Sequence, residues 1–280
     1  VCGARGQIGQ AVNDVVDKLE FEMLDTDVDD LDVTDTDEVL RFGEMNRPDI
    51  IINCSGMTDI SSCEENPSQA FKVNALGARN LAIVAAKMQA KMVQLSTDDV
   101  FDGKSTEPYT EFDITNPGTV YGKSKLAGEN YVKEFTTKHF IVRSTWVYGK
   151  GQNFINGFLK KVDAGEQLSI ASDQFGSPTS ANELARFLLH LVHTSEYGTY
   201  HATNKGVCSR YAFAQEILKM TGKTASMQPV PTVMSDFSKV RPAYAVLDNF
   251  IMSMVPIYDF PDWQDSLREY LEERGLYHAE

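Results

Sequence analysis

The sequence predicts an α/β fold, a doubly wound parallel sheet with a smaller α/β lobe interleaved in the C-terminal half. The chain has 280 residues, 42% of them hydrophobic, which is enough for one large α/β unit or a main domain with a smaller one. Up to about residue 150, short and continuously apolar runs alternate with runs whose apolar residues recur every three or four positions. A glycine-rich turn precedes the first helical run.

The elements of the first part follow in chain order. A helix is predicted over 10–19, directly after the turn. Buried strands are predicted over 21–25, 49–54, 91–96 and 139–145. The helices between them are predicted over 37–46, 67–89 and 123–135. We assign residues 1–148 to the main domain and expect its first strand to be truncated, because the glycine turn stands where a strand should have just ended.

Residues 149–280 are predicted to form the smaller lobe, and some of their segments are predicted to return to the main domain. Helices are predicted over 153–165, 181–193, 209–222 and 262–275, and strands over 167–172 and 198–203. Residues 223–262 are rich in Pro, Met and Ser and show little periodicity, so no element is assigned there.

The charge balance excludes several partners. Acidic residues outnumber basic ones 40 to 26, which gives a formal net charge of −14. Such a surface repels polyphosphate, so we expect no nucleic-acid partner, and any bound anion must be held by local donors. The apolar runs are far shorter than the roughly 20 residues that span a bilayer, so no membrane partner is expected.

Four cysteines are spread along the chain without a C-x-x-C pair or a Cys/His ligand pattern. This argues against a structural metal site and favours a reducing, cytoplasmic location.

The glycine turn predicts a phosphate site. Gly3, Gly6 and Gly9 allow positive φ angles and let backbone N–H groups approach a pyrophosphate at a helix N-terminus. Asp25 ends the second predicted strand, where a dinucleotide-binding unit carries the acid that accepts hydrogen bonds from the adenosine ribose. Because no basic residue lies beside Asp25 to neutralise a 2′-phosphate, we expect NADH to be slightly favoured over NADPH.

A tyrosine followed by two lysines suggests proton transfer. Residues four apart share a helix face, so Lys125 is the expected neighbour of Tyr121, whereas Lys123 points away. An ammonium near a phenol lowers the phenol pKa, which suits the tyrosine to exchange a proton with an alcohol or carbonyl oxygen. Ser96 and Thr97 end a predicted strand where α/β sheets place their ligands, so a hydroxyl there could bond the same oxygen.

Five stretches in fixed order resemble a known family: "GARGQIG", "STDDVFDG", "YGKSK", "RSTWVYG" and "DQFGSPTSA". Together they resemble the extended short-chain dehydrogenase/reductase superfamily, and within it the dTDP-4-dehydrorhamnose reductases. The resemblance implies a Rossmann-type main domain that binds NADH or NADPH and a lobe that mainly binds a dTDP-sugar. The implied reaction reduces the C4 ketone of dTDP-4-dehydro-L-rhamnose to dTDP-L-rhamnose, a precursor of surface polysaccharide.

The resemblance also implies roles for single residues. The implied catalytic set is Thr97, Tyr121 and Lys125, of which the last two also contact the cofactor. The further implied cofactor contacts are Gly3, Gly6, Gln7, Ile8, Asp32, Val33, Cys54, Ser55, Gly56 and Thr58. The implied substrate positions are Thr97, Asp99, Trp146, Asn153, Phe154 and Arg241. Some relatives are described as metal-dependent dimers, which leaves open a magnesium ion, unsupported by any ligand pattern in this chain, and either a monomer or a homodimer.

One departure from the family pattern leaves alternatives open. The family usually has S-T-D-Y-V-F where this chain has Asp99, so a carboxylate replaces an aromatic hydroxyl near an anionic substrate. A related nucleotide-sugar reductase or epimerase therefore remains an alternative. So does a non-catalytic regulatory subunit similar to the β subunit of methionine adenosyltransferase, which retains the tyrosine and the lysine.

Overall fold

The computed structural model describes residues 1–234 and 243–278. The elements up to the end of the third strand are α1 (Gln7–Val15), α2 (Thr36–Asn46), β1 (Ile50–Asn53), α3 (Ile60–Glu65), α4 (Pro67–Phe71), a π-helical turn (Lys72–Gly77), α5 (Ala78–Met88), β2 (Lys91–Thr97), a 3₁₀ turn (Asp98–Val100), α6 (Val120–Phe135) and β3 (His139–Ser144). They are followed by β4 (Val147–Tyr148), α7 (Phe154–Asp163), β5 (Leu168–Ala171), β6 (Phe175–Gly176), β7 (Thr179–Ser180), α8 (Ala181–His193), β8 (Gly198–His201), β9 (Cys208–Ser209), α9 (Arg210–Thr221), β10 (Met227–Val230), a second 3₁₀ turn (Thr232–Met234), β11 (Tyr244–Ala245), α10 (Phe250–Met254) and α11 (Trp263–Glu273).

The central sheet is parallel, with strand order β1-β2-β3-β8. Cys2 extends it beyond β1 through parallel bridges to Asn53 and to Thr26. From Cys2 the chain reaches Thr26 on one side and then crosses to β1 on the other, so the strand order reverses at Cys2. Open α/β sheets bind their ligands at the carboxyl ends of the strands beside such a reversal.

Helices cover both faces of this sheet. On one face α1 and α8 pack against the strands through Val12, Phe187 and Phe140. On the other face α5 packs through Leu81 against Ile141 of β3. Parallel strands buried in this way account for their continuously apolar sequences. The predicted α/β fold with a doubly wound parallel sheet is confirmed.

The strand predicted over 21–25 is wrong. The segment is held by a hydrogen bond of 2.7 Å from the Val1 amino group to Leu24 O and one of 2.9 Å from Thr26 N to Val1 O. The parallel bridge between Cys2 and Thr26 is isolated, so residues 21–25 do not form a regular strand.

The later part of the chain has a core of its own. Phe158, Ile170, Phe213 and Leu267 are all buried in one cluster formed by α7, β5, α9 and α11. Two elements from the same part of the chain, α8 and β8, belong to the central layer instead. Within the described residues, no helix is long and apolar enough to cross a membrane.

Candidate active site

Thr97 and Tyr121 lie where the end of β2 meets the start of α6. The side chain of Thr119 caps α6 and accepts a hydrogen bond of 3.0 Å from Gly122 N. A Cβ atom on Gly122 would lie 2.0 Å from Asp99 O, so only glycine permits this approach. The first turn of α6, which carries Tyr121, therefore packs directly on the residues that follow Thr97.

Lys125 lies one turn after Tyr121, and both side chains are buried. Its Nζ atom would lie 3.7 Å from a Cβ built on Gly56, so the ammonium reaches the loop that follows β1. Burial lowers the pKa of Lys125 to about 8. Lys123 is exposed, as the helical spacing predicts.

The loop after β1 carries Cys54, Ser55, Gly56 and Thr58, and Asn74 positions it. In the π-helical turn, Asn74 Oδ1 accepts a hydrogen bond of 2.8 Å from Met57 N, and its Nδ2 donates to Met57 O at 2.9 Å. The same Nδ2 donates to Ser124 Oγ on α6 at 2.9 Å. Asn74 thus joins the loop to the helix that carries Tyr121 and Lys125.

Sequence reasoning missed Asn74. The available signal was a buried amide inside an otherwise apolar helical run, and π-helical turns are frequent at functional sites.

The glycine turn is built for close backbone approach. Gly3 has a φ of +75°, and a Cβ there would lie 2.7 Å from Ser55 N. A Cβ on Gly9 would lie 2.3 Å from Gly3 O. The turn therefore packs directly on the loop that follows β1, at the point where the strand order reverses.

The start of α1 fits a pyrophosphate. Its N-cap is Gly6, so no side chain caps the helix. Gln7 donates to Gln152 O at 2.9 Å, but its Oε1 is buried and has no hydrogen-bond partner among the described residues. Ile8 follows in the same first turn. Open N–H donors at a helix N-terminus suit an anion, so these residues fit a dinucleotide.

Asp27, rather than Asp25, faces the glycine turn. Asp27 Oδ2 accepts a hydrogen bond of 3.0 Å from Arg5 N, whereas Asp25 is exposed and precedes the bridge at Thr26. The Arg5 guanidinium pairs with Asp29 at 3.0 Å. Burial raises the pKa of Asp27, but hydrogen bonds from the backbone N–H groups of Val28 and Arg5 outweigh it and leave that pKa lowered.

Asp32 and Val33 follow the acidic turn that contains Asp27 and Asp29. Asp32 Oδ1 accepts a hydrogen bond of 2.9 Å from Thr34 N, and hydrogen bonding by Thr34 lowers the pKa of Asp32. The buried Val33 packs beside Gly77, and its carbonyl accepts a hydrogen bond of 3.0 Å from Asn80 Nδ2.

Trp146 follows β3, two residues after Ser144, which pairs with Thr97. Its φ is +46°, a conformation that is strained for a bulky residue and is found mainly at functional sites. The Arg210 guanidinium carbon lies 3.4 Å from the centre of the Trp146 ring and 4.7 Å from that of Phe154. Sequence reasoning missed Arg210, because only the folded chain brings α9 over the residue that follows β3.

The remaining predicted substrate residues differ in their surroundings. Asn153 caps α7, and its Nδ2 donates to Gly149 O at 2.6 Å, so its side chain has structural partners. Asp99 is 1% exposed, and its Oδ2 accepts a long hydrogen bond of 3.5 Å from Thr97 Oγ1. Arg241 lies outside the described residues.

No group of three or more His, Cys, Asp or Glu side chains in the described part of the chain could hold a metal ion.

Comparison with known proteins gives a family match over nearly the whole chain. The RmlD substrate binding domain family matches residues 1–275. The chain is 35% identical to the spore coat polysaccharide biosynthesis protein SpsK of Bacillus subtilis, covering 98% of this chain and 97% of that one.

Two solved structures are similar throughout their length. One is a dTDP-4-dehydrorhamnose reductase from Clostridium acetobutylicum, with 40% identity, a TM-score of 0.95 and 98% of each chain covered. The other is a dTDP-4-dehydrorhamnose reductase from Bacillus anthracis in complex with NADP, with 36% identity, a TM-score of 0.94 and 97% of each chain covered.

Proposed function

The chain belongs to the RmlD substrate binding domain family, and from this premise we propose that it reduces the C4 ketone of dTDP-4-dehydro-L-rhamnose to dTDP-L-rhamnose. It is an NAD(P)H-dependent oxidoreductase of dTDP-rhamnose biosynthesis. The single observation that carries the chemistry is the packing of α6 on the end of β2. It brings the first turn of α6, with the buried Tyr121, against the residues that follow Thr97 at the carboxyl edge of the sheet, and the buried Lys125 lies one turn further along the same helix.

Each residue of the set has a chemical role. A bound dihydronicotinamide would supply the hydride that reduces the ketone carbon. Tyr121 donates its phenolic proton to the oxygen of the forming alkoxide and regains a proton from solvent. Lys125 holds the nicotinamide ribose, and its positive charge stabilises the negative charge that the Tyr121 oxygen gains as it gives up its proton. Thr97 orients the carbonyl by donating a hydrogen bond to its oxygen.

The direct test is turnover. Purified protein is mixed with dTDP-4-dehydro-L-rhamnose and either NADH or NADPH, and loss of the reduced cofactor is followed by absorbance. We expect stoichiometric oxidation of the cofactor and formation of dTDP-L-rhamnose. If neither cofactor is oxidised, the reductase function fails, and a non-catalytic or epimerase role is favoured.

For the cofactor we propose a preference for NADH. Asp27 is suited to accept the ribose 2′-hydroxyl, because its backbone hydrogen bonds keep it ionised. Arg5, the cation nearest to it in the glycine turn, is already paired with Asp29 and lies 3.7 Å from Asp30. A 2′-phosphate would meet these three carboxylates before it met an available cation.

The preference is tested by the ratio of kcat/KM for the two cofactors. We expect NADH to be favoured about tenfold, which corresponds to about 1.4 kcal/mol. Changing both Asp29 and Asp30 to Asn leaves Asp27 as the one carboxylate of the three beside Arg5 and should narrow the ratio, whereas the same change at the exposed Asp37 should leave it unaltered. A wild-type protein that prefers NADPH would contradict the proposal.

For the nucleotide sugar we propose that Trp146, Phe154 and Arg210 border the substrate, with the guanidinium facing its phosphates. The guanidinium is a buried cation stacked on two aromatic rings, and a planar cation of this kind suits the recognition of phosphate groups. This local cation answers the repulsion that a net charge of −14 imposes on an anionic substrate. The lobe over 149–280 would then be mainly the substrate-binding part.

We propose a cytoplasmic location for the enzyme and a monomer or homodimer as its working form. All four cysteines are free thiols in the structure, which suits a reducing compartment.

A further inference from the structure

A buried carboxylate, Glu129, joins three elements beneath the catalytic residues. Its Oε1 accepts hydrogen bonds from Ser96 Oγ at 2.6 Å and Arg143 Nε at 2.9 Å, and its Oε2 accepts one from Arg143 Nη2 at 2.7 Å. Glu129 is on α6 and Arg143 is on β3, while Ser96 directly precedes Thr97 on β2. Bidentate charge-assisted pairs are directional, so Glu129 fixes α6 against both strands.

The same carboxylate lies one helical turn after Lys125. Residues four apart on a helix are neighbours, with Cβ atoms about 5–6 Å apart. Burial lowers the pKa of Lys125 to about 8, and the negative charge of Glu129 opposes that effect, followed by a smaller contribution from Cys54. Within this arrangement Glu129 is the carboxylate that favours the charged form of Lys125.

We propose that Glu129 is a positioning residue for the reaction: it holds α6 against β2 and β3, which sets the positions of Tyr121 and Lys125 relative to Thr97, and it presents its negative charge to Lys125 one turn away. The proposal rests on the reductase function. It adds a residue that acts through Lys125 and β2, and that touches neither the substrate nor the cofactor.

Two cations lie close to the Glu129 carboxylate. Besides Arg143, Lys133 Nζ lies 3.8 Å from Glu129 Oε2 on the next turn of α6. His201 on β8 is the next titratable group behind Arg143. Burial, together with the Arg143 charge, lowers the pKa of His201 to about 3, so it stays neutral above that pH.

The other end of α6 meets one further carboxylate and one backbone carbonyl. Glu64 from α3 accepts a hydrogen bond of 2.8 Å from Val120 N, and Asp99 O lies beneath Gly122. Of the two groups that act electrostatically on Lys125, Cys54 stays a neutral thiol because burial raises its pKa to about 12, so removing Glu129 isolates the effect of its charge.

The test compares variants that separate the effect of the Glu129 charge on Lys125 from the effect of the substitution on folding. Glu129→Gln removes the charge but leaves Arg143 buried without its partner, which destabilises the protein. Glu129→Gln combined with Arg143→Met removes both charges and should restore the melting temperature. Glu129→Asp keeps the charge, and Glu134→Gln removes an exposed carboxylate of the same helix as a control.

Two readouts are taken for each variant. One is the titration of Lys125 by NMR with ¹³C-labelled lysine, its signal identified by its loss in Lys125→Met. The other is the pH profile of reduction, in which the rate falls as Lys125 loses its proton with rising pH. The wild type should lose activity as the pH rises through about 8.

We expect Glu129→Gln, alone and combined with Arg143→Met, to move both curves to lower pH by about one unit, because a stabilising negative charge is gone. Glu129→Asp and Glu134→Gln should titrate as the wild type does.

Wild-type titration in the stably folded double variant would overturn the proposal. If that variant does not fold, equal Lys125 titration in Glu129→Asp and Glu129→Gln overturns it instead. Loss of turnover in the wild type would reject the reductase function alone, because the NMR titration still decides the role of Glu129.

Discussion

At the scale of single residues, the catalytic pair is defined by its surroundings as much as by its spacing. Tyr121 and Lys125 are both buried on one side of α6, while Lys123 between them is exposed. Burial brings the pKa of Lys125 to about 8, so the ammonium is mostly retained at neutral pH. A charged lysine beside a buried phenol is the arrangement that proton donation to an alkoxide needs.

Tyr121→Phe should lower the rate of reduction by at least about 100-fold while leaving the cofactor affinity nearly unchanged, because only the transferable proton is removed. Steady-state kinetics and a cofactor titration by fluorescence measure the two effects. Tyr131→Phe, on the same helix but outside the site, should keep full activity. Loss of cofactor affinity in Tyr121→Phe would assign the phenol a binding role instead of a catalytic one.

Helical spacing alone was enough to favour Lys125 over Lys123. The interval along the sequence from Gly3, by contrast, did not decide which acid faces the glycine turn. Asp25 and Asp27 both follow Gly3 by about the expected interval of 20 residues. The choice depends on which residue bridges to Cys2, and that residue is Thr26.

At the scale of elements, glycines set how closely α6 approaches its neighbours. A Cβ on Gly122 would lie 2.0 Å from Asp99 O, and a Cβ on Gly128 would lie 2.4 Å from Asn74 O. One face of α6 therefore contacts backbone at both points. The position of the catalytic pair depends on these two contacts together with the Glu129 network.

Gly122→Ala should destabilise the protein by about 1–3 kcal/mol, since the added methyl forces the backbone of α6 away from Asp99. Activity should fall with it, because Tyr121 moves with the helix. Urea unfolding measures the change in stability, and kcat measures the change in activity. Gly157→Ala is the matched control: its Cβ meets nothing within 4 Å in α7, so it should be neutral or stabilise by about 0.5–1 kcal/mol. Equal stability of the two variants would contradict the close packing of α6.

The long helices were predictable from their periodicity, but the interruption of one of them was not. Residues 67–89 have a continuous helical pattern, and the structure divides them into α4, a π-helical turn and α5. The side-chain hydrogen bonds of Asn74 to Met57 and Ser124 accompany the break, and they depend on contacts distant in sequence. Strands of two residues, such as β4 and β6, are too short to show a period.

At the scale of the whole molecule, the protein is strongly acidic although the ligands proposed for it are anionic. The net charge of −14 repels them, so binding must depend on local donors. The uncapped start of α1 provides backbone donors, and Arg210 provides a cation from α9 in the lobe. The sequence predicted the need for such donors, but Arg210 could be recognised only once α9 was placed over Trp146.

Arg210→Ala should raise the KM for the nucleotide sugar about tenfold and leave the KM for NADH unchanged, because we propose that the guanidinium binds the substrate phosphates. Arg268→Ala removes a surface arginine paired with Asp265 on α11 and should alter neither value. A KM for the sugar that does not change in Arg210→Ala would remove this residue from the substrate site.

The central claim is that hydride passes to the sugar carbon while Tyr121 supplies the proton. It is tested most directly with NADH deuterated at the transferable C4 position, dTDP-4-dehydro-L-rhamnose and excess protein, with the product analysed by mass spectrometry and NMR. The account predicts one deuterium at C4 of dTDP-L-rhamnose and one oxidised cofactor per product, with neither formed by Tyr121→Phe. A sugar product without deuterium, or one formed without net oxidation of the cofactor, would contradict it.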